Sequence, residues 1–171
     1  KKLTKPLTVT NGMTKMIIRK AETRDAERIN ELLFQVAKIH AEGRPDIFKT
    51  ATKKYSDEEL VGIIGNNHSP IFVATDEKDY ILGYAFCIFE ETKDSILLKD
   101  KKTLYIDDIC VDENSRGKHV GKSLYDYVEK FAEEKGFDNI TLNVWSFNES
   151  AYKFYEKCGM TPLKITMEKS L

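Results

Sequence analysis

The stretch Val111-Asp112-Glu113-Asn114-Ser115-Arg116-Gly117-Lys118-His119-Val120-Gly121-Lys122-Ser123-Leu124 combines cations and glycines in a short span. Gly117 and Gly121 let backbone come close to a ligand, and Arg116, Lys118 and Lys122 add positive charge. A helix opening at Val120 would leave its first backbone N–H groups without partners in the helix. The positive end of the helix dipole lies at the same place. Unpaired N–H groups, dipole and cations together suit a phosphate or diphosphate.

Two phosphate ligands compete for such a loop. A nucleotide P-loop reads G-x-x-x-x-G-K-[ST]; Gly121-Lys122-Ser123 supplies its end, but its first glycine falls on Arg116. The pyrophosphate of coenzyme A is the other. Arg116-Gly117-Lys118-His119-Val120-Gly121 resembles the R-G-x-G-x-G motif of the GNAT superfamily of acetyl-CoA-dependent N-acetyltransferases, with His119 where that motif has glycine. Asn148-Glu149-Ser150-Ala151-Tyr152-Lys153-Phe154-Tyr155-Glu156-Lys157-Cys158-Gly159-Met160 resembles a second GNAT motif, N-x-x-A-x-x-x-Y-x-x-x-G-[FM]. Ile17-Ile18-Arg19-Lys20-Ala21-Glu22-Thr23-Arg24-Asp25-Ala26 is similar to the family's usual start. The resemblance runs from Met16 onward and is thinnest over residues 42–55, where these enzymes differ and bind their acceptors.

The resemblance implies acetyl-CoA as co-substrate, no metal, and direct attack by a primary amine in a ternary complex. The acceptor would be a polyamine, an amino sugar or a peptide amine. The loop Arg116, Gly117, Lys118, His119, Val120, Gly121, Lys122 and Ser123 would hold the pyrophosphate. Backbone of Ile109, Cys110 and Val111 would meet the thioester and pantetheine arm, with a backbone N–H polarising the carbonyl, and Asn148 would contact the cofactor or cap its helix. Tyr155, at the motif tyrosine, would be the general acid as well as a cofactor contact. An alkyl ammonium has a pKa of about 10.4, so freeing its lone pair at pH 7 costs roughly 4.6 kcal/mol, and a general base helps. Asp107 is favoured for that role: strand alternation puts it on one face with Ile109 and Val111, while Asp108 points the other way. Tyr105-Ile106-Asp107-Asp108 also resembles the acidic pair of polyamine-type members. Asp107 serving only to hold a cationic substrate is an equal reading. A CoA-binding regulatory or sensor domain without turnover is the alternative from another class.

The elements that must position these groups are legible from periodicity. Residues 104–111 are β-branched and aromatic, a strand. Val120, Leu124, Tyr127, Val128, Phe131 and Ala132 recur at helical spacing up to the stop at Gly136. Further strands are expected over 16–21, 70–75, 80–90, 139–145 and 160–167; the one at 80–90 is apolar at both parities and therefore central. Thr23 caps a helix with Ala26, Ile29, Leu33, Val36, Ala37 and His40 on its apolar face. Ser56 and Glu59 form a capping box for a second, over 57–64, and Asn148 caps a third. Residues 1–15 read as a polar tail or remnant, and residues 16–171 as one domain. The fold class is α/β in the sense of a mixed α+β sheet: a central twisted mixed β-sheet with helices on both faces. The resemblance adds CoA lying between two splayed parallel strands, 104–111 and 139–145.

Composition bounds the rest. The 171 residues carry Lys+Arg 27 and Asp+Glu 28, net charge −1, so no overall field favours nucleic acid. No apolar run approaches the roughly 20 residues of a membrane span. Cys87, Cys110 and Cys158 have no metal-like spacing and read as buried thiols of a reducing, cytoplasmic setting. The resemblance leaves room for a homodimer.

Overall fold

The computed structural model describes residues 5–11, 14–50 and 53–171. In chain order the strands are β1 (Leu7–Asn11), β2 (Thr14–Lys20), β3 (Ile71–Thr75), β4 (Ile81–Thr92), β5 (Lys101–Val111) and β6 (Asn139–Leu142). The helices are α1 (Ala26–Gly43), α2 (Asp57–Ile64), α3 (Val120–Lys135) and α4 (Glu149–Lys157). The six strands form one sheet in sequence order. All neighbours are antiparallel except β5 and β6, which run parallel.

Two cores sandwich this sheet. On one face Val120, Leu124, Tyr127, Val128 and Phe131 of α3 meet Ile18, Phe72, Ala85, Leu104 and Ile106. On the other, Ile29, Leu32 and Leu33 of α1 and Leu60 and Ile64 of α2 meet Val73, Tyr84, Phe86 and Cys110. β4 sends Ala85 and Cys87 to the first core and Tyr84 and Phe86 to the second, which is why its sequence is apolar at both parities. The capping box of α2 forms as expected, Glu59 N–H donating to Ser56 Oγ at 3.1 Å and Ser56 N–H to Glu59 Oε2 at 2.7 Å. Thr23 does not cap α1: it opens a short 3-10 turn, Thr23–Asp25, capped by Glu22, whose N–H donates to Asp25 Oδ2 at 2.7 Å, and Asp25 is the N-cap of α1.

Two expectations are corrected. Residues 1–15 are not a tail throughout: β1 pairs with β2 from Leu7↔Ile18 to Asn11↔Thr14, and Leu7 and Val9 pack against the α3-side core. Alternation of Leu7 and Val9 with Thr8 and Thr10 before Asn11-Gly12 is a strand-and-turn pattern, and it outweighs the polar composition; residues 1–4, 12 and 13 lie outside the described residues. The strand expected over 160–167 does not form. Residues 160–171 follow α4 with no regular element, because no neighbouring strand supplies the ladder that their alternation needs.

Candidate active site

Pairing decides where this sheet can open. β5 is bonded to β4 along its length, from Thr92↔Lys101 to Gly83↔Val111. Its pairing with β6 runs only from Thr103↔Asn139 to Ile106↔Leu142. Beyond Ile106 the two parallel strands part, and among the described residues the β6-facing edge of residues 107–111 has no strand partner.

A bulge sits where they part. Phe86 faces Asp108 and Cys87 faces Ile106, so Asp107 is the extra residue. The bulge reverses the alternation of β5. Leu104 and Ile106 lie in the α3-side core, yet Ile109 and Val111 pack against that same core; Cys110 belongs to the other one. Asp107 therefore does not share a face with Ile109 and Val111. It meets Lys54, whose Nζ donates to its Oδ2 at 3.2 Å, and Lys54 lies over the Tyr55 ring on the α1/α2 side.

Asp108 holds the more enclosed place. The hydroxyl of Tyr84, a fully buried residue, donates to Asp108 Oδ2 at 2.6 Å. Burial pushes the Asp108 carboxyl above the usual carboxylate range, and the Tyr84 hydrogen bond and the charges of Lys54 and His40 offset this only in part. Burial also raises the Tyr155 hydroxyl above the ordinary phenol range, with the Asp108 charge the next cause. Tyr155 thus keeps its proton at neutral pH within the electrostatic reach of Asp108. His40 is shifted down, first by burial, with the Asp108 charge acting the other way. For Lys54, burial lowers the pKa, but Asp107, Tyr55 and Asp108 outweigh it and the net shift is upward.

The roof of this end is aromatic. His40 near the end of α1 stacks on Phe48 at 5.0 Å, and Phe48 meets Trp145 edge-on at 5.2 Å. The chain after β6 is thereby joined to the connection after α1. Periodicity gave the 44–55 connection no element, and neither Tyr84 nor Lys54 stands out as a site residue in sequence; Asp108 was noticed as one of an acidic pair but set aside on strand alternation. The one available signal was a second acid inside an otherwise apolar strand.

The other end of the opening is the mouth of α3. Gly117 is left-handed at φ 76°, and so is His119 at φ 61° and ψ 12°. His119 adopts the backbone conformation that glycine takes freely, so the departure from the motif costs strain rather than shape. Its carbonyl accepts from Ser123 N–H at 3.0 Å, which starts the helix, and its side chain makes no capping bond. The N–H groups of Val120, Gly121 and Lys122 then precede any possible intrahelical acceptor, and no acid lies in this first turn. The Val120 side chain is buried, leaving only its backbone for a ligand. A Cβ on Gly121 would already touch Val111 Cγ2 at 3.4 Å and Phe154 at 3.6 Å. Arg116, Lys118 and Lys122 are exposed; Lys118 Nζ donates to Asn114 O at 3.0 Å, and Lys122 pairs with Asp126. The loop is anchored below by Asp112, which pairs with Arg28 and accepts from Asn114 N–H at 2.8 Å. Coenzyme A fits this chemistry: a diphosphate at unpaired N–H groups under a positive dipole, and an extended arm along a free strand edge.

Asn148 caps α4, accepting from Ala151 N–H at 3.1 Å. Cys110 is buried, its Sγ lies 3.7 Å from Leu32 O, and burial pushes its thiol up to about 12. It remains a neutral thiol and not a nucleophile. Among the described residues no cluster of His, Cys, Asp or Glu is arranged to hold a metal ion.

A mixed sheet that opens between two parallel strands onto a bare helix N-terminus defines a class of α/β proteins that grip a phosphorylated ligand. The profile of the acetyltransferase (GNAT) family matches residues 33–160, well over half of the chain, and the chain belongs to that family. It is similar to the BH1408 protein of Bacillus halodurans, 31% identical with a TM-score of 0.86 over 90% of this chain and 98% of that one. It is also similar to glucosamine 6-phosphate N-acetyltransferase of Arabidopsis thaliana: 28% identical over 99 residues, spanning 50% of this chain and 64% of that protein's length. The crystal structure of the Arabidopsis enzyme superposes with a TM-score of 0.66 at 27% identity, over 91% of this chain and 97% of that one.

Proposed function

We propose that this chain transfers an acetyl group from acetyl-CoA to a primary amine, and that Asp108 rather than Asp107 receives the amine's proton. The observation that carries the reading is the parting of β5 and β6 beyond Ile106, with the α3 mouth set against Val111 of the free strand edge and Tyr155 within electrostatic reach of Asp108.

The backbone N–H groups of residues 120–122 and the cations Arg116, Lys118 and Lys122 hold the pyrophosphate. Ser123 and Asn148 shape the same pocket, Asn148 through its cap. The free edge at Ile109, Cys110 and Val111 aligns the pantetheine arm, and an N–H there polarises the carbonyl. The acyl donor supplies an activated thioester. The ammonium first gives one proton through Asp108 to solvent; the neutral nitrogen then forms the new C–N bond as the C–S bond breaks, its second proton goes to Asp108, and Tyr155 gives its proton to the sulfur and is reprotonated from Asp108 through solvent. A carboxyl raised by burial is a stronger base than a free aspartate, so the pair suits an amine that arrives protonated. Tyr155 is a weaker acid than a free phenol, and a thiol of pKa about 8.5 departs readily, so its help falls at the low end of the general-acid range.

Asp107 and Asp108 with the His40–Phe48–Trp145 roof favour a small cationic acceptor, an amino sugar or polyamine over a long peptide. The Arabidopsis relative, named for glucosamine 6-phosphate, supports the amino-sugar choice. The unpaired thiols Cys87, Cys110 and Cys158 suit a cytoplasmic setting. The test is thiol release from acetyl-CoA against a panel of amino sugars, polyamines and peptides. Amine-dependent release is expected; cofactor binding without it would leave a sensor domain instead.

A further inference from the structure

The chain carries a primary amine of its own beside the bulge. Lys54 lies in the connection between α1 and α2. Its Nζ donates to Asp107 Oδ2 at 3.2 Å, and Asp107 is the bulged residue next to Asp108. The same Nζ lies 5.3 Å from the centre of the Tyr55 ring. Tyr55 stacks on Phe86 at 6.4 Å, and Phe86 is the cross-strand partner of Asp108. Two separate contacts therefore hold the ammonium at this point of β5. Its charge acts on Asp108, and the charge of Asp108 acts in turn on Tyr155.

Lys53 is a built-in contrast. Its Nζ pairs with Asp57, the first residue of α2, at 3.3 Å, and its side chain is 62% exposed against 44% for Lys54. The two amines are neighbours in sequence, yet the less exposed one is engaged with β5 and the more exposed one with α2. Lys54 is still open enough to turn on its flexible stem.

We propose that Lys54 is a self-acetylation site: with no outside acceptor present, its Nζ takes the acetyl group of acetyl-CoA held by the same copy. The inference rests on the acetyl-transfer reading. The Lys54 ammonium gives one proton through Asp107 to solvent. The neutral Nζ forms the C–N bond as the C–S bond breaks, and its second proton goes to Asp108. Tyr155 gives its proton to the sulfur and is reprotonated from Asp108 through solvent. The products are an acetyl-lysine, the free thiol and one released proton. The amide carries no charge, so the modified side chain no longer pairs with Asp107.

The test is tandem mass spectrometry of the full chain after incubation with saturating acetyl-CoA and no added amine. One acetyl group is expected on Lys54, formed about a hundredfold faster than on Lys53 because the amine is already in place, at a rate independent of chain concentration. Tyr155→Phe should slow it, and Lys54→Arg, which keeps a cation for Asp107, should show no acetyl group at residue 54. Without acetyl-CoA, the NMR resonances of the Lys54 ε-methylene should move on Asp107→Asn while those of Lys53 stay. Equal acetylation of Lys53 and Lys54, a Lys54 rate that rises with chain concentration, or Lys54 resonances that do not move would each overturn the proposal. Lys54 left unmodified while an added amino sugar or polyamine is acetylated would sink the proposal and leave the transfer reading standing; acetylation of neither would sink both. Should Tyr155→Phe fail to fold, the ratio of Lys54 to Lys53 in the parent decides.

Discussion

Tyr84 donates its hydroxyl to Asp108 at 2.6 Å from inside the sheet. One strand of the core thereby fixes the Asp108 carboxyl next to the bulge. The bond presupposes the bulge: in an unbroken β5 the alternation of Leu104 and Ile106 would have continued through Asp108, toward the α3 side.

Asp108→Asn keeps an acceptor for Tyr84 and removes the proposed base. Its kcat should fall by about 10²–10⁴-fold, whereas Asp107→Asn, which loses a surface pair worth no more than about 1 kcal/mol, should change kcat far less. Equal losses, or a larger loss for Asp107→Asn, would return the base to Asp107. Stability should move the other way. A carboxyl whose folded pKa is raised contributes stability below its unfolded pKa and loses it as pH rises through the folded value. Asp108→Asn should therefore melt no lower than the parent at neutral pH, as read by differential scanning calorimetry.

The pH profile of kcat/KM should rise with pH as Asp108 deprotonates. Lys54 favours the charged carboxylate, so Lys54→Ala should move that limb to higher pH. A limb that stays in place, or moves down, would mean that another group sets it.

Tyr155→Phe should lower kcat by about 10²-fold, the low end for a general acid, with acetyl-CoA affinity unchanged in calorimetric titration. A wild-type kcat would remove the acid role.

Gly121→Leu should weaken acetyl-CoA binding by about tenfold or more, roughly 1.4 kcal/mol, because a Cβ there already lies in van der Waals contact with Val111 and Phe154 and a longer side chain crowds the loop. Unchanged affinity would put the pyrophosphate elsewhere. His119→Gly should bind normally and gain up to about 1 kcal/mol in stability by relieving the left-handed backbone; His119→Val should lose stability. Denaturant unfolding of the pair measures both.

The α3 mouth was readable in the sequence because its cues are local: two glycines, three cations and a helix periodicity that starts at Val120. The capping box at Ser56, the cap at Asn148 and the burial of β4 on both faces rest on spacing of the same short range. The orientation of Asp108 was not readable. One inserted residue at Asp107 leaves no mark in composition, and its effect depends on the register against Phe86 and Cys87 of another strand. The length of β6 and the fate of residues 160–167 are likewise set by partners far along the chain. For β1, the local alternation at Leu7 and Val9 was present but weak beside its polar neighbours.

The extra residue in β5 makes the order of its two adjacent acids matter. A homologous chain with the same two letters but a regular ladder would turn the opposite carboxyl toward the acceptor. Deleting a single codon beside Ile106 would accordingly act on chemistry as well as on geometry: the surviving aspartate would inherit one orientation only, and Lys54 and Tyr84 would be left contending for it.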